Sequence, residues 1–397
     1  MISVAEAQAR VVAGVSTLPA ETVGLMDAAG RVLAGPLVAR RTQPPFAASA
    51  MDGYAVRGAD VASVPVRLKM VGAVQAGGFY EPNLQAGQCV RIFTGAPLPA
   101  GADTVVIQED TEANGDQITI VEAEETGGNV RDAGLDFREG EHRLAAGTYL
   151  SPRQLALAAA MDYPWLKVVR RPRVAILATG DEIVFPGEPI AVSQIVASTS
   201  TSLAGFVRAN GGEPVVLGVA RDTIESLREA VAAARDADIL VTIGGASVGD
   251  HDLVQTALKE DGLQVDFWKI AMRPGKPLMV GKLGHSHVLG LPGNPVSSMV
   301  CAMLFLRPLL YAMQGRADGI PAPTMVETAA DLPANGIRQD YMRARLNANG
   351  QVVPFAKQDS SMLTALAEAR ALIVRHENAP AVKKGTLVPA LLLDGLL

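Results

Sequence analysis

From Arg173 onward the chain alternates short apolar, β-branched runs with segments of helical period at the spacing of βαβ units, and this leaves few folds open. Strands are predicted at 174–178, 215–219, 239–243, 265–270 and 287–291. The helices predicted between and after them cover 200–209, 223–234, 253–261 and 296–306. Strands joined by helical crossovers run parallel and need helices on both faces. A largely parallel, doubly wound sheet follows, and such sheets bind ligands beyond the carboxyl ends of their strands.

The flanking segments differ in texture. Ser3-Val4-Ala5-Glu6 matches a capping box and predicts a helix running to about Ala13. Between Arg41 and Asp136, runs such as Thr104-Val105-Val106-Ile107 and Gln117-Ile118-Thr119-Ile120-Val121 alternate with Gly, Pro and Asn, which predicts a β-rich domain. Ser151-Pro152 opens a second helix over 153–161, expected to pack against the first. After Gly315 the chain returns to short strands punctuated by proline. The expected division is therefore a discontinuous helical and extended domain from 1–40 and 138–170, a β-rich domain at 41–137, an α/β domain at 171–316 and a C-terminal β domain at 317–397. A chain of 397 residues accommodates this at roughly 100–200 residues per domain.

Charge and composition exclude several classes. With 35 Lys+Arg against 41 Asp+Glu the net charge is −6, without the cationic surplus a general nucleic-acid binder uses to neutralise phosphates. The most apolar stretch, 296–313, is broken by Ser297, Ser298, Arg307 and Pro308, so no membrane span is predicted where roughly 20 apolar residues are needed. The first residues lack a basic region followed by an apolar one, and the expected location is cytoplasmic. Cys89 and Cys301 lie too far apart for metal-type spacing and read as packing residues in a reducing compartment.

Four loops leave predicted strands of the α/β segment. They are Thr179-Gly180-Asp181-Glu182, the segment from Gly244-Gly245 through Ser247 to Asp252, Arg273-Pro274-Gly275-Lys276-Pro277, and Leu291-Pro292-Gly293-Asn294-Pro295. Glycines let backbone N–H groups approach an anion, and a helix starting after such a loop adds its positive end. Each loop alone is an ordinary turn; four at one sheet edge suggest phosphate recognition. Asp181, Glu182, Asp250 and Asp252 supply the oxygen ligands a hard divalent cation takes, although Asp181 and Asp250 fit helix caps equally well. Lys269, Arg273 and Lys276 add positive charge for an oxyanion, with Lys269 readable as plain surface solvation. Among the five histidines only His285 and His287 are close in sequence, against a histidine-rich zinc site, and His251 reads as solvated or supporting. No G-x-S-x-G elbow or Walker-type loop is present. In the β-rich segment Asp52-Gly53, taken alone, reads as a turn.

Taken in order, Pro45-Phe46 through Ser49-Ala50-Met51-Asp52-Gly53-Tyr54-Ala55, Thr94-Gly95-Ala96-Pro97-Leu98-Pro99, Thr179-Gly180-Asp181-Glu182, the Gly244 to Asp252 loop, Pro274-Gly275-Lys276-Pro277 and Leu291-Pro292-Gly293-Asn294-Pro295 resemble molybdopterin molybdenumtransferases, a family that includes the C-terminal domain of gephyrin. The resemblance covers essentially the whole chain. It implies a homodimer with a central doubly wound, molybdopterin-binding α/β domain, a discontinuous helical domain that forms the dimer, a β-rich domain and a C-terminal β-barrel-like domain. The implied active site lies between the α/β domain of one subunit and the β-rich domain of the other. The implied reaction inserts molybdenum from molybdate into adenylylated molybdopterin, with Mg²⁺, and releases AMP. Implied partners are the two small-molecule substrates, the adenylyltransferase that precedes it and the apo-molybdoenzymes that follow, with no nucleic acid and no membrane.

Carried over motif by motif, the catalytic residues are Asp52, Thr94, Asp136, Glu182 and Asp252, of which Asp52, Glu182 and Asp252 hold the metal. Substrate binding falls to Gly180, Gly244, Gly245, Ser247, Arg273 and Lys276, with Pro292 and Pro295 shaping the loop beside the ligand. Arg343 and Ser360 or Ser361 are further candidates from the C-terminal domain. Two departures stand out. Ala47-Ala48 replaces a frequent Asp-Asn pair, and Ala197-Ser198-Thr199-Ser200-Thr201 replaces Asp-Ser-Asn-Ser-Tyr, which removes a carboxylate, a carboxamide and an aromatic ring. Arg273 stands where lysine is common. A non-catalytic carrier or scaffold, and adenylyl transfer by the α/β domain, are the alternatives; the intact acidic residues oppose the first and the Ser49 to Ala55 segment the second.

Overall fold

The computed structural model describes residues 1–244 and 253–396. The chain divides into two compact units, one made of Met1–Glu21, Gly30–Ala34 and Lys167–Leu397, the other of Thr22–Ala29 and Gly35–Leu166.

The first unit is built on a six-stranded sheet in the order Glu213–Ala220, Arg173–Thr179, Ile239–Ile243, Ser286–Leu291, Pro277–Leu283, Gln264–Lys269. The first four strands are parallel. Pro277–Leu283 runs antiparallel to both its neighbours, so the sheet is mixed. Sequence reading left this strand unassigned, because Leu278 and Met279 are weak strand formers and Gly281 interrupts the run. Gln264–Lys269 again points the same way as the parallel strands, so the loops after residues 179, 243, 269 and 291 still gather at one edge.

Successive residues of Arg173–Thr179 face opposite sides of the sheet. Val174 and Ile176 pack with Leu203, Phe206 and Val207 of helix Ser198–Ala209, and with Val296, Val300 and Leu304 of a long helix. Ala175 and Leu177 pack on the other face with Leu227, Val231, Val254 and Leu258 from helices Ile224–Ala233 and Leu253–Glu260. The long helix, Pro295–Met313, is long and apolar enough to cross a membrane, but 94 % of that stretch is buried against the rest of the chain, which makes it a core helix. It continues beyond the predicted end at Leu306 through a π-helical turn at Ala302–Leu306. Pro308 has no N–H to offer the Leu304 carbonyl, and the buried side chain of Gln8 donates to that oxygen instead, at 3.2 Å. Gln8 lies on helix Val4–Val12, where Ser3 accepts from the Glu6 N–H as the capping box requires. Val4, Ala7 and Val11 of that helix join the same apolar core.

The C-terminal part of this unit is a sheet in the order Met272–Arg273, Gln339–Leu346, Ala371–Arg375, Leu387–Leu392, Thr324–Glu327. Val352–Pro354 pairs with Gln339–Leu346, and Val352 also bridges Thr328 just after the last strand, so the sheet curls into a barrel-like form.

The second unit holds a six-stranded sheet in the order Thr104–Ile107, Gly53–Val56, Gln88–Ile92, Val66–Val74, Gln117–Ile120, Thr111–Asn114. Its two sides are filled separately, by Tyr54, Leu68, Val106 and Ile118 on one and by Ala55, Val90, Ile92 and Val105 on the other. Helix Pro152–Ala160 has proline in its first turn, as expected, and lies against the short turn Leu25–Ala28.

Opposite the carboxyl edge of the central sheet, Asp238 ties strands together. Arg170 donates to both its carboxylate oxygens at 2.7 Å, and the Arg173 N–H donates at 2.8 Å. Burial alone would raise the Asp238 pKa, but these hydrogen bonds and the Arg170 charge outweigh it and hold the carboxyl below its ordinary range. Its stabilising contribution is therefore present above the unfolded carboxyl value, about 3.9, and is lost as pH falls through the lower folded value. Asp238→Asn is expected to cost about 2 kcal/mol at pH 7. In urea unfolding the gap to the native chain should shrink in strongly acidic buffer; an undiminished gap would contradict the account.

Candidate active site

A cleft of about 540 Å³ opens at the carboxyl edge of the central sheet. Its floor is Ala178, Thr179, Ile243 and Gly244, the last residues of two parallel strands and their first loop residue. Ile183, Ile195 and Val196 form one apolar wall, and Gly293, Asn294 and Pro295 stand on another side. Ser361 and Leu363 complete it from the C-terminal sheet module. Glu182 is the one charged residue among the described lining residues.

Gly180 makes room for that carboxylate. Its φ of 132° favours glycine, and a Cβ there would come within 2.4 Å of a Glu182 carboxylate oxygen. The Glu182 carbonyl accepts from the Ile195 N–H at 2.7 Å, which ties the residue to the start of the cleft's apolar wall. Helix Ser198–Ala209 begins at the cleft with no side-chain cap, so its first-turn N–H groups are not spent on a capping side chain. Ser200 is 2 % exposed, and its hydroxyl has no hydrogen-bond partner among the described residues. The first four residues of the segment that departs from the family pattern, Ala197 to Thr201, thus form a wall of the cleft.

Asp181 does not cap a helix: its carboxylate accepts from the Asp222 N–H at 3.4 Å. Asp222 is a residue that sequence reading missed, signalled only by an acid just past a strand end and before the Thr223 cap. Burial, then the charges of Asp181 and Glu182, push its carboxyl above the ordinary range. This edge therefore carries concentrated negative charge.

The basic candidates lie on the same sheet edge but outside the cleft lining. Arg273 pairs with Asp340, and Lys276 is exposed at the loop turn, its carbonyl accepting from the Ile270 N–H at 3.1 Å. Pro292 is buried and accepts from the Ser298 hydroxyl, while Pro295 starts the long helix at the cleft. Arg343 is 1 % exposed and donates to the carbonyls of Asp359 and Met362 at 2.9 and 3.2 Å. It thereby shapes the loop whose Ser360 accepts from the Asn294 side chain at 3.0 Å and, through its carbonyl, from the Val296 N–H at 3.1 Å. Of the remaining candidates on this unit, Gly245, Ser247 and Asp252, with Asp250 and His251, lie outside the described residues.

In the other unit, Asp52 and Thr94 meet directly. Asp52 Oδ1 accepts from the Thr94 N–H at 2.7 Å and from its hydroxyl at 2.8 Å. These bonds, with the Arg91 charge, keep the exposed carboxyl below its ordinary range. Asp52-Gly53 is more than a turn: Gly53 opens a strand so close to its neighbour that a Cβ would lie 2.0 Å from the Val106 carbonyl oxygen. Asp136 is held elsewhere, its N–H donating to the Gln43 carbonyl at 3.0 Å, and no hydrogen bond joins it to Asp52 among the described residues. Neither do the described residues contain a group of three acids, histidines or cysteines placed to hold a metal ion.

Three family descriptions match the chain. They are the MoeA N-terminal region (domain I and II) over residues 2–161, a probable molybdopterin binding domain over 175–312, and the MoeA C-terminal region (domain IV) over 325–393. A molybdopterin molybdenumtransferase of Nostoc sp. is 39 % identical, over 89 % of this chain and 84 % of that protein. One from Haemophilus influenzae is 34 % identical, over 93 % and 92 %. The crystal structure of a molybdopterin biosynthesis MoeA protein from Pyrococcus horikoshii superimposes with a TM-score of 0.84 at 31 % identity, covering 99 % of both chains.

Gly180→Ala tests the packing of the cleft. The added methyl meets the Glu182 carboxylate in a backbone conformation that costs on the order of 1–3 kcal/mol for a non-glycine residue. A stability loss of that size in urea unfolding is expected, with Glu182 displaced in the variant's crystal structure; an unmoved Glu182 would contradict the geometry.

Proposed function

The chain belongs to the family of molybdopterin molybdenumtransferases, and on that premise we propose that it inserts molybdenum from molybdate into adenylylated molybdopterin and releases AMP. The observation that carries this reading is the cleft at the carboxyl edge of the sheet, lined by residues of the molybdopterin-binding match except for Ser361 and Leu363, with Glu182 among them.

The cleft's chemistry suits such a substrate. Ile183, Ile195, Val196 and Leu363 offer an apolar surface to a flat heterocycle. The uncapped start of helix Ser198–Ala209 offers N–H groups and the positive helix end to a phosphate. The hydroxyl of Ser200 adds a donor and acceptor that no group among the described residues uses. Arg273 and Lys276 take the anionic end, molybdate or phosphate, with the guanidinium able to donate in parallel.

Mg²⁺ fits the donor chemistry. Carboxylates are the hard oxygen donors this cation takes, although no three of them are assembled for it among the described residues. Glu182, Asp52 and Asp252 are the proposed holders, and bound Mg²⁺ would offset the negative charge of the substrate phosphates. Thr94 keeps Asp52 ionised and fixed in orientation, as a ligand or electrostatic group needs. Asp136 belongs to the same proposal as an acidic group of the β-rich region. Gly180, Gly244 and Gly245 keep the loops close to the ligand, Ser247 adds a hydroxyl, and Pro292 and Pro295 fix the turn into the long helix. The four-domain division, the homodimer, and contacts with the adenylyltransferase and apo-molybdoenzymes are part of the proposal.

The test combines purified protein, adenylylated molybdopterin, Mg²⁺ and molybdate, and follows AMP release alongside activation of a cofactor-free molybdenum enzyme. Both signals are expected to require molybdate and the protein, and to fall about 100-fold in Asp52→Asn and in Glu182→Gln. Tight binding without AMP release would make the chain a carrier, and full turnover in both folded variants would remove these carboxylates from the mechanism.

A further inference from the structure

Arg273 reaches the sheet edge in an unusual way. The short strand Met272–Arg273 pairs with Gln339–Leu346 of the C-terminal module, outside the central sheet. In that register Arg273 stands opposite Asp340 and donates to its carboxylate. The two partners are unequal: the Arg273 side chain is 61 % exposed and that of Asp340 is 5 %. Around them the backbone is pinned, by the Gln339 N–H on the Ala271 carbonyl at 2.9 Å and by the Cys301 thiol on the Gly275 carbonyl at 3.8 Å.

Asp340 has a second cationic neighbour, the buried Arg375, which stands opposite it where Gln339–Leu346 pairs with Ala371–Arg375. Arg375 in turn donates to the carbonyls of Pro333 and Pro380. Asp340 thus lies between two cationic residues, bonded to Arg273 and opposite Arg375 in the strand register. One negative charge between two positive ones leaves the trio positive, and the part of it that meets solvent is Arg273. A guanidinium has five N–H donors, so one bond to Asp340 leaves others for an anion. An anchored guanidinium also loses less side-chain freedom on meeting that anion than a freely rotating one.

Building on the reading of Arg273 as an oxyanion-binding residue, we propose that Asp340 is its positioning residue, holding the guanidinium at the sheet edge with donors free for a tetrahedral oxyanion while Arg375 keeps the local charge positive.

A double-mutant cycle tests this on the full-length protein. Equilibrium affinities for molybdate and, separately, for AMP are measured by calorimetry in the native chain, Arg273→Ala, Asp340→Asn and the double variant; the two ligands distinguish a metal oxyanion from a phosphate. Each single substitution is expected to weaken at least one ligand about 5- to 20-fold. The double variant should bind no more weakly than Arg273→Ala alone, because Asp340 acts through Arg273. Unchanged affinity in Asp340→Asn, or an equal further loss when Arg273 is already alanine, overturns the proposal. Unchanged affinity for both ligands in Arg273→Ala overturns the oxyanion reading and the proposal with it. If thermal unfolding shows that Asp340→Asn does not fold, Asp340→Glu, which keeps the charge and shifts the carboxylate by one methylene, takes its place in the same cycle with the same outcomes.

Discussion

Parallel pairing of Arg173–Thr179 with Glu213–Ala220 on one side and Ile239–Ile243 on the other is the constraint from which the site follows. Parallel strands must each be followed by a crossover, so their carboxyl ends and the loops leaving them collect at one edge. Alternation along Arg173–Thr179 then obliges helices to cover both faces, since Val174 and Ile176 point one way and Ala175 and Leu177 the other. The long helix Pro295–Met313 closes one of those faces and starts beside the cleft. Its irregular turn is tolerated because Gln8 satisfies the carbonyl that Pro308 leaves without a donor.

Charge is distributed with equal economy. Inside the cleft the described lining is apolar and hydroxylic apart from Glu182 and the Asn294 amide, while the basic groups stand on the neighbouring loop. Acids accumulate just beyond the strand ends, where Asp222 feels Asp181 and Glu182. The β-rich unit contributes a different device, a carboxylate fixed and kept ionised by one threonine.

The parts legible in the sequence are those written locally. The capping box at Ser3, the apolar run Ile239–Ile243 and the helices between strands follow from adjacent residues. So does the meeting of Glu182, Gly244 and Pro295 at one edge, because strand direction alone brings their loops together. What escaped depends on contacts distant in sequence. Pro277–Leu283 is a strand because of its two neighbours, despite weak intrinsic preference. Arg343 looks like a ligand-binding cation in the sequence, yet the fold spends its guanidinium on backbone carbonyls. Asp222 and Asp340 gain meaning only from the charges placed beside them.

Hydrogen exchange of the intact protein with and without AMP tests the central claim most directly. Slower exchange is expected at the backbone amides of 180–184, 195–200 and 293–296, the segments that form the cleft. Protection confined to other segments, with these unchanged, would contradict the assignment of the cleft as the substrate site.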